Sequence, residues 1–325
     1  MRIALLALLA LCTAAHAEAI KIGILKTSAS GPVFIAEGKG YFAAEGLEAE
    51  LVFFEGAQPI AVAVASGDID FGHTGFTGGF YGLASQGVLR LIGGGAREVP
   101  GYPNQPFLAS NKAWAAGLRS LKDMPGHTFA VSQIGSPPHY ALGLAAQKYG
   151  FDIKSVRILP LQSIPATVAA ITGGQADASG MTGSLGVAML GRGDAKLLGY
   201  IGDETPFQLA GTFVSRKTAD DRGDTVRHFL RALQKASRNY HDAFVEDGKR
   251  GDGPAAPEML AIIAKATGQS PGEVARGLPY VDAEARLDIA DVIRQYEWYR
   301  SQGMLKGTAE ADAMIDRRYV VDVKQ

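Results

Sequence analysis

Hydrophobic and polar positions alternate in blocks along the chain, and one block occurs twice. Residues 67–75 read GDIDFGHTG, and residues 174–183 read GQADASGMTG. Each copy follows an apolar run with helical spacing, and in each an aspartate opens a short run that reaches Thr-Gly. A glycine commonly ends a helix in the left-handed conformation, and a short apolar run suits a buried parallel strand. The repeat therefore predicts two similar α/β lobes.

The alternative is a coincidence in a chain that has 41 glycines. Similar helix–strand passages precede both copies, GYFAAEGLEAELVFF at residues 40–54 and AAQKYGFDIKSVRILPL at residues 145–161. This shared context favours the repeat.

The same patterning predicts ten strands separated by helices. They are Lys21–Leu25, Glu48–Phe54, the strand within 67–75, Val88–Ile92, Phe107–Ser110, Thr128–Ser132, Val156–Leu161, Asp177–Met181, Lys196–Tyr200 and Thr212–Ser215. Alternating strands and helices of this length indicate mainly parallel sheets with right-handed crossovers. The predicted fold class is α/β, with two Rossmann-like lobes.

Two of the predicted strands have similar surroundings, because each is followed by a polar helix start. We interpret Phe107–Ser110 and Thr212–Ser215 as strands that cross between the lobes. Lobe 1 would then comprise residues 18–107 and 212–325, and lobe 2 residues 108–211. Two crossing strands between lobes are expected to act as a hinge.

Two amphipathic helices are predicted after residue 217, from apolar residues at three- and four-residue steps. The first carries Val226, Phe229, Leu230, Leu233, Ser237, Tyr240 and Phe244, and the second carries Ile289, Val292, Ile293 and Tyr296. We expect both helices to pack on lobe 1.

Composition limits the class of protein. Hydrophobic residues make up 47% of the chain and charged residues 20%, which is enough to bury real cores. The formal net charge of −1 offers no electrostatic basis for binding nucleic acid or an anionic membrane. We expect a monomer that binds a small molecule.

The amino terminus predicts export. Arg2 is followed by an apolar run at residues 3–11 and by Ala15-His16-Ala17, the pattern of a secretory signal peptide cleaved after Ala17. The single cysteine, Cys12, would leave with residues 1–17. Lipid attachment at Cys12 is the alternative, but Leu11 is bulky where lipoprotein signals carry a small residue.

Six polar loops precede predicted helices, and they hold the candidate binding residues. Each places hydroxyl or amide side chains at a helix amino terminus, where free N–H groups and the helix dipole attract polar or anionic groups. The alternative for any single loop is an ordinary helix cap. The candidates are Thr27, Ser28, Ser30, Gln58, Thr74, Phe76, Thr77, Gly135, Ser136, His139, Gln162, Thr182 and Ser184.

Two of these candidates carry rings rather than hydroxyl or amide groups. Phe76 lies between Thr74 and Thr77 in the turn and is the best candidate for a ring that contacts the ligand. His139 is expected to be a structural or capping histidine, with ligand contact as the alternative.

Signatures of catalysis are absent from the sequence. It contains no G-x-S-x-G elbow, P-loop, H-E-x-x-H or zinc–cysteine pattern. We expect no catalytic residues, no metal and no cofactor.

Several of these segments, in this order, resemble the periplasmic substrate-binding proteins of nitrate/taurine/sulfonate-type ABC importers. They include Pro32, GYFAAEGL at 40–47, GDIDFG at 67–72, LKDMPG at 121–126, Gly135-Ser136 and GQADA at 174–178. The resemblance implies a two-lobed, type II-like periplasmic-binding-protein fold that closes on a small ligand. It also implies a periplasmic location and, as partners, an inner-membrane permease with its cytoplasmic ATPase.

Family position supports the same contacts, at 27–30, Gln58, 74–77, Gly135, Ser136 and 182–184. Sulfonate binders of this kind often place an arginine in the cleft, whereas these loops contain none, and Arg97 is the nearest. We expect a small organic ligand, an aromatic or other carboxylate, a sulfonate or a heterocycle. A mono-carboxylate, aromatic acid or neutral heterocycle suits the loops better than a strong anion such as nitrate or taurine. An exported sensor protein and an enzyme on the same fold remain as alternatives, although pyrimidine-precursor synthases with this fold carry a cysteine-rich motif.

Overall fold

The computed structural model describes residues 17–305 and 310–323. The predicted signal segment, including Cys12, lies outside the described residues except for Ala17.

The strands are β1 (Glu18–Leu25), β2 (Leu47–Phe54), β3 (Phe71–Gly75), β4 (Leu89–Gly94), β5 (Ala96–Glu98), β6 (Pro106–Ser110), β7 (Thr128–Val131), β8 (Arg157–Pro160), β9 (Ala178–Gly180), β10 (Ala195–Tyr200), β11 (Phe207–Gln208), β12 (Ala210–Ser215), β13 (Val245–Glu246), β14 (Lys249–Arg250) and β15 (Tyr280–Val281). All ten predicted strands are confirmed, with shifted ends. The additional strands have two or three residues each, too few to show a period.

The helices are α1 (Gly31–Gly38), α2 (Tyr41–Ala44), α3 (Ala57–Ser66), α4 (Gly78–Ser85), α5 (Asn111–Ala115), α6 (Pro137–Tyr149), α7 (Ile164–Thr172), α8 (Gly183–Arg192), α9 (Ile201–Glu204), α10 (Arg216–Asp221), α11 (Gly223–Phe244), α12 (Ala256–Thr267), α13 (Pro271–Arg276) and α14 (Ile289–Ser301).

Two five-stranded sheets form the centres of two lobes. Lobe 1 has the strand order β2-β1-β3-β12-β4, and lobe 2 has β10-β6-β9-β7-β8. In lobe 1, β1 runs parallel to β2 and β3, whereas β12 is antiparallel to its neighbours β3 and β4. Lobe 2 repeats this arrangement, since β7 is parallel to β8 and β9 and β6 is antiparallel to β9 and β10.

The duplicated segment occupies the same place in both lobes. Gly67 and Gly174 both adopt positive φ at the end of the preceding helix. Asp70 then accepts a hydrogen bond from the backbone nitrogen of Lys21 in β1, at 2.8 Å. Asp177 accepts the corresponding bond from Thr128 in β7, also at 2.8 Å. The repeat therefore encodes the same strand-to-strand link twice.

The segments that cross between the lobes differ from the prediction. Phe107–Ser110 lies within β6 of lobe 2, and Thr212–Ser215 lies within β12 of lobe 1. The chain crosses in shorter strands, β5 and β11, which pair with each other at Phe207↔Glu98 and Gln208↔Arg97. Because β5 and β11 have only three and two residues, their pattern is too short to predict a strand. The longer strands beside them were therefore interpreted as the crossing strands.

The two C-terminal amphipathic helices are confirmed, but they pack differently. The apolar face of α11 is buried against lobe 1, as expected. Helix α14 contacts both lobes instead: Tyr299 packs on Tyr81 of α4 and on Tyr140 of α6. A side chain at Gly143 of α6 would meet the Trp298 ring 2.3 Å away, so α6 needs glycine where α14 crosses it.

Candidate functional site

A cavity of about 80 Å³ lies between the lobes, at the carboxyl ends of the parallel strands. Its polar side chains are Thr27, Ser30, His73, Thr74, Gln105, Ser132, Gln133, Ser136, Thr167 and Thr182. Its apolar side includes Leu25, Pro137, Pro138, Ile164, Met181 and Leu209. Both lobes and the crossing segments contribute to the wall. In open α/β sheets, ligands bind at such strand ends.

Several helices have their amino termini at this cavity. Helices α1, α3, α6, α7 and α8 all begin at or beside lining residues. Ser136 and Thr182 occupy N-cap positions of α6 and α8, yet neither side chain makes the capping hydrogen bond. Ser163 makes the normal cap at α7. The ordinary capping alternative therefore does not account for Ser136 and Thr182.

Unpartnered polar atoms concentrate on this wall. Four buried side-chain atoms of residues that line the cavity have no hydrogen-bond partner: Thr74 Oγ1, Gln105 Oε1, Gln133 Nε2 and Ser136 Oγ. A buried polar atom without a partner costs about 1–3 kcal/mol. Proteins seldom keep several such atoms together, and a bound ligand would give them partners.

The wall carries no formal charge. Among the described residues that line the cavity, none is aspartate, glutamate, lysine or arginine. Arg97, the nearest arginine by sequence, lies in β5 and forms an ion pair with Asp288 at 3.0 Å. It does not line the cavity.

His73 is a wall residue that the sequence analysis missed. It is 1% exposed, and its Nδ1 shares a hydrogen bond with Thr212 Oγ1 at 2.9 Å. Burial lowers the pKa of His73 to about 4, so the ring is neutral at pH 7, and charging it there would cost ~4 kcal/mol. The only signal in the sequence is its position beside Thr74, inside the duplicated segment.

Five predicted residues lie on the wall: Thr27, Ser30, Thr74, Ser136 and Thr182. They come from both lobes, so the structure brings together side chains that lie up to 155 positions apart in the sequence. Three of them, Ser30, Ser136 and Thr182, are the N-cap residues of α1, α6 and α8.

Ser28 and Ser184 lie beside the cavity and not on its wall. Ser28 Oγ donates to the backbone oxygen of Gly277 at 2.7 Å, and Ser184 Oγ donates to Gln269 Oε1 at 2.7 Å. Both serines border an outer compartment of about 220 Å³, which Lys26, Phe53 and Glu55 also line. Their hydroxyl groups are engaged in the protein.

Phe76 and Thr77 are placed in the core of lobe 1. The Phe76 ring is 0% exposed and stacks on Phe80 at a centroid distance of 5.3 Å. Gly211 in β12 leaves space for this ring, since a side chain there would meet it at 2.5 Å. Thr77 caps α4 by accepting a hydrogen bond from Phe80 N. Neither side chain lines the cavity, because the turn after β3 directs both inward.

Gln58 and Gln162 also lie away from the wall. The Gln58 amide packs on Gly79 of α4, where a side chain would approach it to 2.5 Å. Gln162 is exposed and adopts a φ of 67°. Gln105 and Gln133 supply the amides of the cavity instead. Gln133 opens the polar loop QIGSPPH at residues 133–139, which precedes a predicted helix, whereas Gln105 precedes no helix motif in the sequence.

Gly135 and His139 make contacts that join different segments of the structure. Gly135 N donates to His139 Nδ1 at 3.0 Å, and Gly135 O accepts from Gly78 N of lobe 1 at 2.8 Å. The His139 ring is 5% exposed and packs edge-on against Trp298. Burial lowers the pKa of His139 to about 4. This is the structural role that the sequence analysis favoured for His139.

A second contact joins the lobes at the amino terminus of α8. Gly277, at the end of α13 in lobe 1, lies directly on Gly183 and Ser184 of lobe 2: a side-chain carbon at Gly277 would come within 2.0 Å of Ser184 N. The Ser184–Gln269 hydrogen bond lies beside this contact.

The described residues contain neither a membrane-spanning helix nor a metal-binding cluster. No helix within residues 17–305 or 310–323 is long and apolar enough to cross a membrane. No group of three or more histidine, cysteine, aspartate or glutamate side chains in those ranges is arranged to hold a metal ion.

The chain is similar to known proteins in sequence and structure. The family model described as NMT1/THI5 like matches residues 27–243, more than half of the chain. No curated protein sequence matches it.

Solved structures resemble the chain over nearly its whole length. The alkanesulfonate-binding protein SsuA from Xanthomonas axonopodis pv. citri, bound to MOPS, has 20% identity and a TM-score of 0.73 over 92% of this chain and 98% of that one. The periplasmic aliphatic sulphonate binding protein SsuA from Escherichia coli has 19% identity and a TM-score of 0.71 over 95% of each. The periplasmic nitrate-binding protein NrtA from Synechocystis PCC 6803 has 13% identity and a TM-score of 0.68 over 91% of this chain and 84% of that one.

At these identities the likeness establishes the fold. The predicted two-lobed periplasmic-binding-protein fold is confirmed. The fold is also found in an enzyme, because the desulfurization enzyme DSZB matches with 15% identity and a TM-score of 0.57, over 94% of this chain and 97% of that one.

Proposed function

The chain belongs to the NMT1/THI5-like family, and we propose that it is the extracytoplasmic solute-binding component of an ABC importer. It captures a small organic ligand between its lobes and delivers that ligand to a membrane permease. The permease and its cytoplasmic ATPase are the partners in this proposal, and the binding protein itself is a monomer without a cofactor.

One observation carries the proposal: residues that line the cavity between the lobes hold four buried polar atoms without partners. These atoms lower the stability of the folded protein, so stability does not explain why they are present. The proposed contacts are Thr27, Ser30, Thr74, Ser136 and Thr182 from the sequence, together with His73, Gln105 and Gln133 from the structure.

The site supports binding more directly than catalysis. In the part of the chain that the structure describes, the wall contains no carboxylate, lysine, arginine or cysteine. His73 is held by Thr212, and no serine on the wall is hydrogen-bonded to it. We therefore propose a binding protein and not an enzyme.

The test is recovery of the natural ligand. The protein is purified from its native host and denatured, and the released small molecules are identified by mass spectrometry. The identified compound is then titrated back, and small-angle scattering should show a smaller radius of gyration at saturation. Absence of a stoichiometric small molecule, together with no compaction by any host extract, would count against a solute-binding role.

A further inference from the structure

The unpartnered atoms of the cavity differ in kind. Gln133 Nε2 can only donate a hydrogen bond, whereas Gln105 Oε1 can only accept one. The hydroxyl groups of Thr74 and Ser136 can do either. With the two amides in the orientations that the structure gives them, a ligand satisfies both by offering an acceptor to Gln133 Nε2 and a donor to Gln105 Oε1. A fully ionised anion such as nitrate or an alkanesulfonate offers acceptors alone and leaves Gln105 Oε1 in this orientation without a donor.

The charge of the wall leads to the same conclusion. A buried anion loses its hydration and needs an opposite charge or several donors in return. The cavity wall has no lysine or arginine in the described chain, and its histidine is neutral. Lys26 lies at the outer compartment, with its Nζ 4.9 Å from the centre of the Phe53 ring. It is not part of the deep wall.

The size of the cavity limits the ligand further. A volume of about 80 Å³ holds roughly five to eight water molecules. Leu25, Ile164 and Leu209 form apolar surface around the polar groups, which suits a compact framework that carries polar atoms on one edge.

We infer that the deep cavity binds a small uncharged ligand that carries both a hydrogen-bond donor and an acceptor, such as a carboxamide, a lactam or a sulfonamide, more tightly than the corresponding anion. This inference rests on the proposed function and names the ligand class for the same site. It separates this chain from the sulfonate- and nitrate-binding proteins that share its fold.

Matched pairs of compounds test the ligand class. The probes are nicotinamide with nicotinate, benzamide with benzoate, and methanesulfonamide with methanesulfonate, since each pair has the same size and differs in charge. Calorimetric titration at neutral pH should show that the neutral member of at least one pair binds at least tenfold more tightly than its anion. A preference for the anions would overturn the inference but leave the proposed function standing. Binding by neither set at any soluble concentration, while the ligand recovered from the host proves to be an anion, would overturn it as well.

Thr74→Val tests the role of the unpartnered atoms. Valine keeps the branched shape and removes a buried hydroxyl that has no partner. The variant should be at least as stable as the parent without ligand, and its affinity for the neutral probe should fall roughly threefold to tenfold. A structural role for the hydroxyl predicts the reverse result, a lower stability with unchanged affinity.

Thr225→Val is the matched control. The Thr225 hydroxyl is remote from the cavity and donates to Glu18 Oε2 at 2.8 Å. This variant should lose stability and keep the affinity of the parent. If Thr74→Val and Thr225→Val behave alike, the unpartnered hydroxyl does not serve the ligand, and the inference is overturned.

Discussion

Gly277→Ala should prevent the lobes from closing. The backbone of Gly277 has φ −131° and ψ 35°, a conformation that alanine tolerates, so lobe 1 should fold normally. The added carbon would lie 2.0 Å from Ser184 N, 2.3 Å from Ser184 Cα and 2.4 Å from Gly183 C, all of them backbone atoms of lobe 2. Contacts below 3.0 Å do not occur for real side-chain carbons, so the two helices must separate by at least about 1 Å.

The magnitude follows from the hydrogen bonds that separation would break. Ser184 Oγ to Gln269 Oε1 is 2.7 Å, and Gly78 N to Gly135 O is 2.8 Å. Both bonds join the lobes. At a net ~0.5–1.5 kcal/mol for each bond, their loss amounts to about 1–3 kcal/mol, which is a roughly 5- to 150-fold loss of ligand affinity.

Calorimetric titration with the tightest-binding neutral probe measures this loss, and small-angle scattering reports closure. The control is Gly272→Ala in the same helix, where the nearest atom to the new carbon is Arg276 Nη1 at 3.7 Å. It should bind like the parent. The reasoning is refuted if Gly277→Ala binds as tightly as Gly272→Ala and reaches the same radius of gyration.

Two further predictions concern pH and export. Burial raises the pKa of Glu98 from 4.5 to about 8, so the folded protein keeps a proton that the unfolded chain releases, and this group lowers stability as the pH rises from 4.5 to 8. The free energy of unfolding of Glu98→Gln should therefore exceed that of the parent by up to ~4 kcal/mol at pH 8 and equal it near pH 4.5. Denaturant unfolding of both proteins at both pH values measures this difference. The same difference at both pH values would contradict the prediction. The exported protein should have the intact mass of a chain that begins at Glu18, whereas a lipid-modified chain that begins at Cys12 would show that the predicted signal peptide is misassigned.

Local sequence pattern was sufficient for ten of the strands and for the duplication. Nine of these ten have four or more residues, and the three-residue β9 was recognisable because it lies in the duplicated segment. The aspartates Asp70 and Asp177 were recognisable because they recur in the same context. The crossing strands β5 and β11 were not, since two or three residues cannot show a period.

The sequence also determined that the candidate loops contain hydroxyl and amide groups and no arginine, because the residue types of a loop do not depend on how its side chains are oriented. Which of these groups face the cavity was decided by tertiary contacts alone. Ser28 and Ser184 turn away because Gly277 and Gln269, more than 80 positions later in the chain, accept their hydrogen bonds. His73, Gln105 and Gln133 line the cavity because the two lobes meet there, and a side chain's direction depends on partners that folding brings together from distant parts of the chain.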